Sequence, residues 1–305
     1  MKNVVMSNWV RHMSIAAATV MTAGMFLFLV AAASSASMSS PLANELTSPA
    51  SESRGRDVTS GNGRVPLRLL PLGDSITRSD INHLSYRYSL WTKMVDAGID
   101  FEFVGSLDSN FGGNGAWKAH KGKSFDSKHE GHWGWRADQI LEGVSGAEGG
   151  RLSEWLNTYT PDIVLMHLGT NDLMQSQSAS STVHELERII EVLRADNPKV
   201  VILVAKLIPT YNAGVNSRIA MLNSRLERIA AKASTAASPI IVVDQNSGFD
   251  VSADTYDWIH PNRSGEEKIA AKWFDALQDV LGNGYVNRTT TASAREIPAQ
   301  DKPAT

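Results

Sequence analysis

The chain has 305 residues, 42% of them apolar and 20% charged, with a formal net charge of −3 and no cysteine. That balance excludes a disordered or fibrous protein and gives no electrostatic case for a nucleic acid or an anionic membrane as partner. Without cysteine there is no disulfide and no thiolate metal site, so the fold rests on its hydrophobic core.

The first elements along the chain lie outside that core. Lys2, Arg11 and His12 precede an uncharged apolar run over 13–30, and the small residues of AAASSAS follow over 31–37. This order predicts a secretory signal peptide over 1–36, cut just after Ala33 or Ala36. The mature protein is then secreted and extracellular, with no stable membrane association. An uncleaved anchor is the alternative, because the run approaches the ~20 residues that a spanning helix needs. Residues 37–63, rich in Ser, Pro, Asn and Gly, read as a flexible linker. Residues 284–305 are polar, lack apolar periodicity and read as a disordered tail. One domain remains, over 64–283, expected as a monomer. N-x-S/T sequons stand at Asn262 and Asn287.

Within the domain, short apolar runs alternate with amphipathic stretches. Strands are expected over 67–72, 101–104, 163–168, 200–205 and 240–243. These runs are rich in Val, Ile and Leu without polar alternation, as in strands covered on both faces. Helices are expected over 84–96, 138–156, 183–195, 217–234 and 265–281. In 185–195, Leu186, Ile189, Ile190 and Leu193 share one helical face. Strand–helix alternation argues for a parallel α/β sheet with helices on both sides, and ligands of such sheets sit beyond the carboxyl ends of the strands.

The first strand runs straight into Gly73-Asp74-Ser75-Ile76-Thr77. A serine there stands exposed at the sheet's carboxyl end, and Gly73 allows a tight exit with close approach of another backbone. Taken alone, Gly-Asp-Ser is equally an ordinary turn with Ser75 as a helix cap. A serine nucleophile needs a base. His260, in Asp257-Trp258-Ile259-His260-Pro261, precedes the last helix, and Asp257 is close enough in sequence to hold one imidazole nitrogen while the other faces Ser75. Acyl transfer also needs oxyanion donors. Asn171, in Gly169-Thr170-Asn171-Asp172 after the third strand, and Gly134, between Trp133 and Trp135, offer them. Each has a bland alternative as a helix cap or a loop residue.

The blocks PLGDSIT, HEGHWGW, LGTND and DWIHP, in this order, resemble the SGNH hydrolase (GDSL esterase) superfamily, most of all the branch that contains carbohydrate esterase family 3. The resemblance implies a three-layer α/β/α sandwich on a flavodoxin-like five-stranded parallel sheet, and a cofactor-free Ser-His-Asp mechanism. By the matching blocks, Ser75 is the nucleophile, His260 the base and Asp257 its partner. The oxyanion donors are the Ser75 and Gly134 N–H groups and the Asn171 side chain. One departure is Ser79, where that branch often carries glycine. Asp74, Trp133, Trp135 and Trp258 are candidate substrate contacts, since indole faces stack on sugar rings.

His129-Glu130-Gly131-His132 does not match a zinc helix, whose histidines stand at i and i+4, so no metal is expected. Three functions follow from these residues. The first is removal of acetyl groups from plant polysaccharide such as acetylated xylan. The second is hydrolysis of lipid, phospholipid or small esters, against which the absence of a long apolar lid segment weighs. The third is sugar binding without catalysis, for which five catalytic positions would be superfluous.

Overall fold

A computed structural model describes residues 65–146 and 149–286. The expected signal peptide, the linker, the tail beyond residue 286 and the Asn287 sequon lie outside the described residues. Six strands form one sheet: β1 (Leu67–Gly73), β2 (Phe101–Phe103), β3 (Glu130–Gly131), β4 (Ile163–His167), β5 (Val201–Lys206) and β6 (Ile240–Asp244). Five of them run parallel in the order β2-β1-β4-β5-β6, and the short β3 pairs with β1 at its carboxyl end. The expected five-stranded sheet is thus present, with β3 added. Two residues carry no readable period, which is why β3 is silent in the sequence.

Alternation within the strands explains the layers. Ile163 and Leu165 of β4, with Val201 and Leu203 of β5, face a core completed by α2 (Ser85–Asp96) and α9 (Arg263–Gly282). Val164, Met166, Ile202 and Val204 face the opposite core. That second core is closed by α3 (Ala137–Glu142), α4 (Leu152–Trp155), α6 (Ala179–Asp196) and α7 (Ala213–Ala233). Leu186, Ile189, Ile190 and Leu193 are buried together there, as their spacing predicts. Both faces of the parallel sheet are covered, which such sheets require.

One expected helix is corrected. The stretch 138–156 is not continuous: α3 stops at Glu142 and α4 begins at Leu152. The intervening GVSGAEGG carries four glycines, each a poor helix former, and their summed cost outweighs the apolar pattern. Three single-turn helices complete the chain: α1 (Ser75–Arg78), α5 (Thr170–Met174) and α8 (Val251–Asp254). Among the described residues no helix is long and apolar enough to cross a membrane.

From β1 the chain moves to β2 on one side and later to β4 on the other. That reversal lies at the carboxyl ends of β1 and β4, the usual ligand position in an open α/β sheet.

Candidate active site

Gly73 ends β1 where no other residue fits. A Cβ there would lie 2.4 Å from Thr77 Oγ1 and 2.5 Å from the His167 carbonyl oxygen. The chain then turns at once into α1, with Asp74 as N-cap accepting from the Ile76 N–H at 2.9 Å. Ser75 is therefore the first residue of α1, buried to 6% exposure, just beyond the carboxyl end of β1. Arg87, fully buried on α2, holds the far end of this turn through its Nε to the Thr77 carbonyl (2.9 Å) and Nη2 to the Arg78 carbonyl (3.1 Å). Nothing in the sequence singles out Arg87; it sits in an otherwise ordinary amphipathic helix.

The candidate base, His260, comes from the other end of the chain. Between α8 and α9 the loop closes on itself by a bridge from Thr255 to Pro261. It is tied down by the Asn262 N–H to the Asp254 carbonyl at 2.8 Å. The Asn262 side chain caps α9 and donates to the Ala253 and Thr255 carbonyls, so this sequon's amide is used within the fold. Within the loop, the Asp257 carboxylate accepts from His260 Nδ1 at 2.7 Å and from the His260 N–H at 2.7 Å. That bond fixes the proton on Nδ1 and leaves Nε2 as an acceptor. Nε2 lies 2.9 Å from Ser75 Oγ, 185 residues away in sequence. Burial alone would raise the Asp257 carboxyl, but its hydrogen bonds and the charge of His260 outweigh it and hold the group below the ordinary carboxylate range.

Asn171 lies in the first turn of α5, directly beyond β4. Its Nδ2 donates to the Trp135 carbonyl at 3.0 Å and, weakly, to Asp74 Oδ2 at 3.4 Å. Gly134 takes φ +78°, open to glycine and strained for other residues, and no atom stands within 4 Å of where its Cβ would be. Its loop is suspended from both sides: the His132 N–H donates to the Gly73 carbonyl at 3.0 Å, and Gln175 Nε2 donates to the Gly134 carbonyl at 3.3 Å. The N–H groups of Ser75 and Gly134 meet no backbone acceptor among the described residues.

The expected substrate contacts separate into two kinds. Asp74 is fully buried beneath the serine, where burial pushes its carboxyl up to about 6 against the pull of the Ile76 N–H and His260. Trp135 is partly buried, stacks on His132 at 4.5 Å and packs against the core. Both thus lie behind the site rather than at its surface. Trp133 stands at the site but stacks on His260 at 4.8 Å and on Phe111 at 4.7 Å. Trp258 is half exposed, in the left-handed region at φ +73°, and its carbonyl accepts from the Tyr211 N–H.

The histidines of HEGH serve the fold. His129 Nδ1 accepts from the Gly131 N–H, and its other ring nitrogen faces the Ser109 carbonyl. His132 Nε2 meets Glu130 Oε2 at 2.9 Å, and its ring lies against Trp155 at 4.4 Å. The one described acidic cluster with ligand atoms within 4.8 Å is Asp138, Asp172 and Glu185. All three members already carry internal donors: Arg136 on Asp138, the Ala137 N–H on Asp172 and the Ser181 hydroxyl on Glu185.

The family model of GDSL-like lipases and acylhydrolases matches residues 72–268, more than half of the chain. The chain belongs to the GDSL-like lipase/acylhydrolase family. The expected SGNH resemblance is borne out, and with it the fold. An acetyl esterase mutant solved with acetate ion is 28% identical, at a TM-score of 0.61 over 71% of this chain and 99% of that one. A family 3 carbohydrate esterase from Talaromyces cellulolyticus is 29% identical, at a TM-score of 0.61 over 71% and 99%. A multidomain esterase of Ruminococcus flavefaciens is 27% identical over 231 residues, 70% of this chain. This GDSL family member spans only 29% of the length of that curated relative.

Proposed function

We propose that this family member is a secreted serine esterase that removes acetyl groups from plant cell-wall polysaccharide such as acetylated xylan. The observation that carries the reading is the continuous chain of hydrogen bonds from Ser75 Oγ through His260 to Asp257, with distances of 2.9 and 2.7 Å. Binding alone needs no such relay. In this reading Ser75 Oγ attacks the ester carbonyl and His260 Nε2 takes its proton. The Ser75 N–H, the Gly134 N–H and Asn171 Nδ2 receive the tetrahedral oxyanion. His260 then protonates the leaving alkoxide, and a water activated by the same base frees the acid. Asp257 stays ionised and stabilises the imidazolium. No cofactor or metal enters these steps.

The acetyl preference and the carbohydrate substrate are supported by the likeness to an acetyl esterase and a family 3 carbohydrate esterase. Trp258, half exposed two residues before His260, offers a face for a sugar ring. Export is supported by the apolar run and small residues over 13–37, and N-terminal sequencing of the mature protein tests it. The substrate is tested by acetate release from acetylated xylan, acetylated glucomannan and long-chain esters, with Ser75→Ala as control. Release from xylan by the wild type alone is expected. Preference for long-chain esters would favour a lipase, and equal background rates in both proteins would favour a binding protein.

A further inference from the structure

We propose that Trp133 and Tyr256 are positioning residues that tune His260 by enclosing its ring in a stack of aromatic faces. The inference rests on His260 being the base of the preceding section.

Five rings follow one another in space. Phe111 stacks on Trp133 with centroids 4.7 Å apart and planes 27° apart. Trp133 stacks on His260 at 4.8 Å and 20°. His260 stacks on Tyr256 at 5.7 Å and 17°, and Tyr256 on His83 at 3.9 Å and 9°. The rings come from four separate parts of the chain. Both ends are tethered. Phe111 pairs with the exit of α1, its N–H donating to the Ser79 carbonyl at 2.9 Å. At the other end Asp80 accepts from the Tyr256 hydroxyl at 3.1 Å and meets His83 Nδ1 at 2.7 Å.

Two consequences follow for His260. Near-parallel neighbours fix the plane of the imidazole, so Nδ1 stays on Asp257 while Nε2 stays on Ser75. The electron-rich faces of indole and phenol also attract a cation more than a neutral ring. They therefore favour the imidazolium that forms when Ser75 gives up its proton. Burial and the neighbouring Asp80 and Asp257 raise the Tyr256 phenol, so it stays neutral and keeps its hydrogen bond to Asp80 through the working range. The charged or titratable groups around His260 are Asp257 and Ser75 on its nitrogens, Asp74 beneath, Asp80, His83 and Glu266 around Tyr256, and Arg78 over Phe111. Changing Trp133 replaces none of these groups, whereas both Tyr256 variants also remove the hydroxyl that donates to Asp80. Indole stacking on His260 and Phe111 also engages Trp133 within the protein, which leaves sugar contact to Trp258.

The test is the pH profile of kcat/KM for p-nitrophenyl acetate in the wild type, Trp133→Leu, Trp133→Phe, Tyr256→Leu and Tyr256→Phe. Each leucine variant is expected to move the acid limb to lower pH by roughly half a unit and to lower plateau kcat about two- to fivefold, with a smaller change in KM. Each phenylalanine variant keeps a face and should stay within about twofold of the wild type. Simple opening of the site to water would move the limb the other way, so the sign is informative. An unmoved or upward-shifted limb in the leucine variants, or phenylalanine variants that match them, overturns the proposal. Two positions keep the test decisive if one leucine variant does not fold. Hydrolysis that persists in Ser75→Ala would instead remove the esterase reading itself.

Discussion

The two halves of the candidate active site are held in different ways. Ser75 hangs from the sheet: β1 carries it, β4 squeezes the backbone just before it, and Arg87 fastens the turn just after it. His260 makes its hydrogen bonds and ring stacks with residues of loops and of α1. Its loop is fixed by its own Thr255–Pro261 bridge, by Asp257 and by stacked rings, and the Asp257 side chain is 41% exposed. The difference teaches that the proposed nucleophile is placed by the sheet and the helix packed on it, while the proposed base is placed by its own loop and the rings stacked on it. Damage on the serine side should therefore cost stability, and damage on the histidine side should cost turnover first.

Asp257→Asn tests the histidine side most sharply. It removes the acceptor that fixes the His260 tautomer, and kcat should fall by about 10³–10⁴. The thermal midpoint should stay within a few degrees, and a large drop there would erase the contrast. Asn171→Ala removes one proposed oxyanion donor and should lower kcat by about 10²–10³ with little change in KM. Arg87→Leu tests the serine side. It takes a charged donor from the Thr77, Arg78 and Ser127 carbonyls and from Asn110 Oδ1, and urea denaturation should show a loss of roughly 3 kcal/mol.

A smaller effect depends on pH. His167, at the end of β4, is fully buried with no hydrogen-bond partner on either ring nitrogen among the described residues, and burial pushes it down to about 4. The unfolded chain takes up that proton near the ordinary histidine value and the folded chain does not. Stability is therefore lost as pH falls from about 6.5 towards 4. Replacement by leucine should recover roughly 2 kcal/mol at pH 5 relative to pH 8. Equal gains at both pH values would contradict this. The smallest effect concerns Ser79, held at φ +61° and ψ 175° at the end of α1, a region suited to glycine. Ser79→Gly should stabilise the chain by about 1 kcal/mol, read as a higher thermal midpoint.

Much of this site was legible because its chemistry sits where strands end. Ser75 and Asn171 follow apolar runs that form the two central strands, so pattern alone places them at one rim. Asp257 and His260 are three apart, so their pairing is local and readable. What was not legible depends on distant packing. Asp74 is fully buried and its Oδ2 meets Asn171 of α5, a residue far away in sequence. The two tryptophans flanking Gly134 look alike in the chain, yet Trp135 packs on His132 and Trp133 on His260. Phe111 and His83 join the stack from segments with no motif, and Tyr256, next to the DWIHP block, carries no signal that its ring faces His260. Arg87 reads as a surface charge until the turn it fastens is folded above it.

The most direct measurement is mass-spectrometric mapping of the residue that a fluorophosphonate ester labels at neutral pH. Labelling of Ser75 in the wild type, abolished in Ser75→Ala and strongly slowed in His260→Ala, is the predicted result. A label on another serine, or equal labelling of Ser75 with and without His260, would contradict a nucleophile activated across those 185 residues.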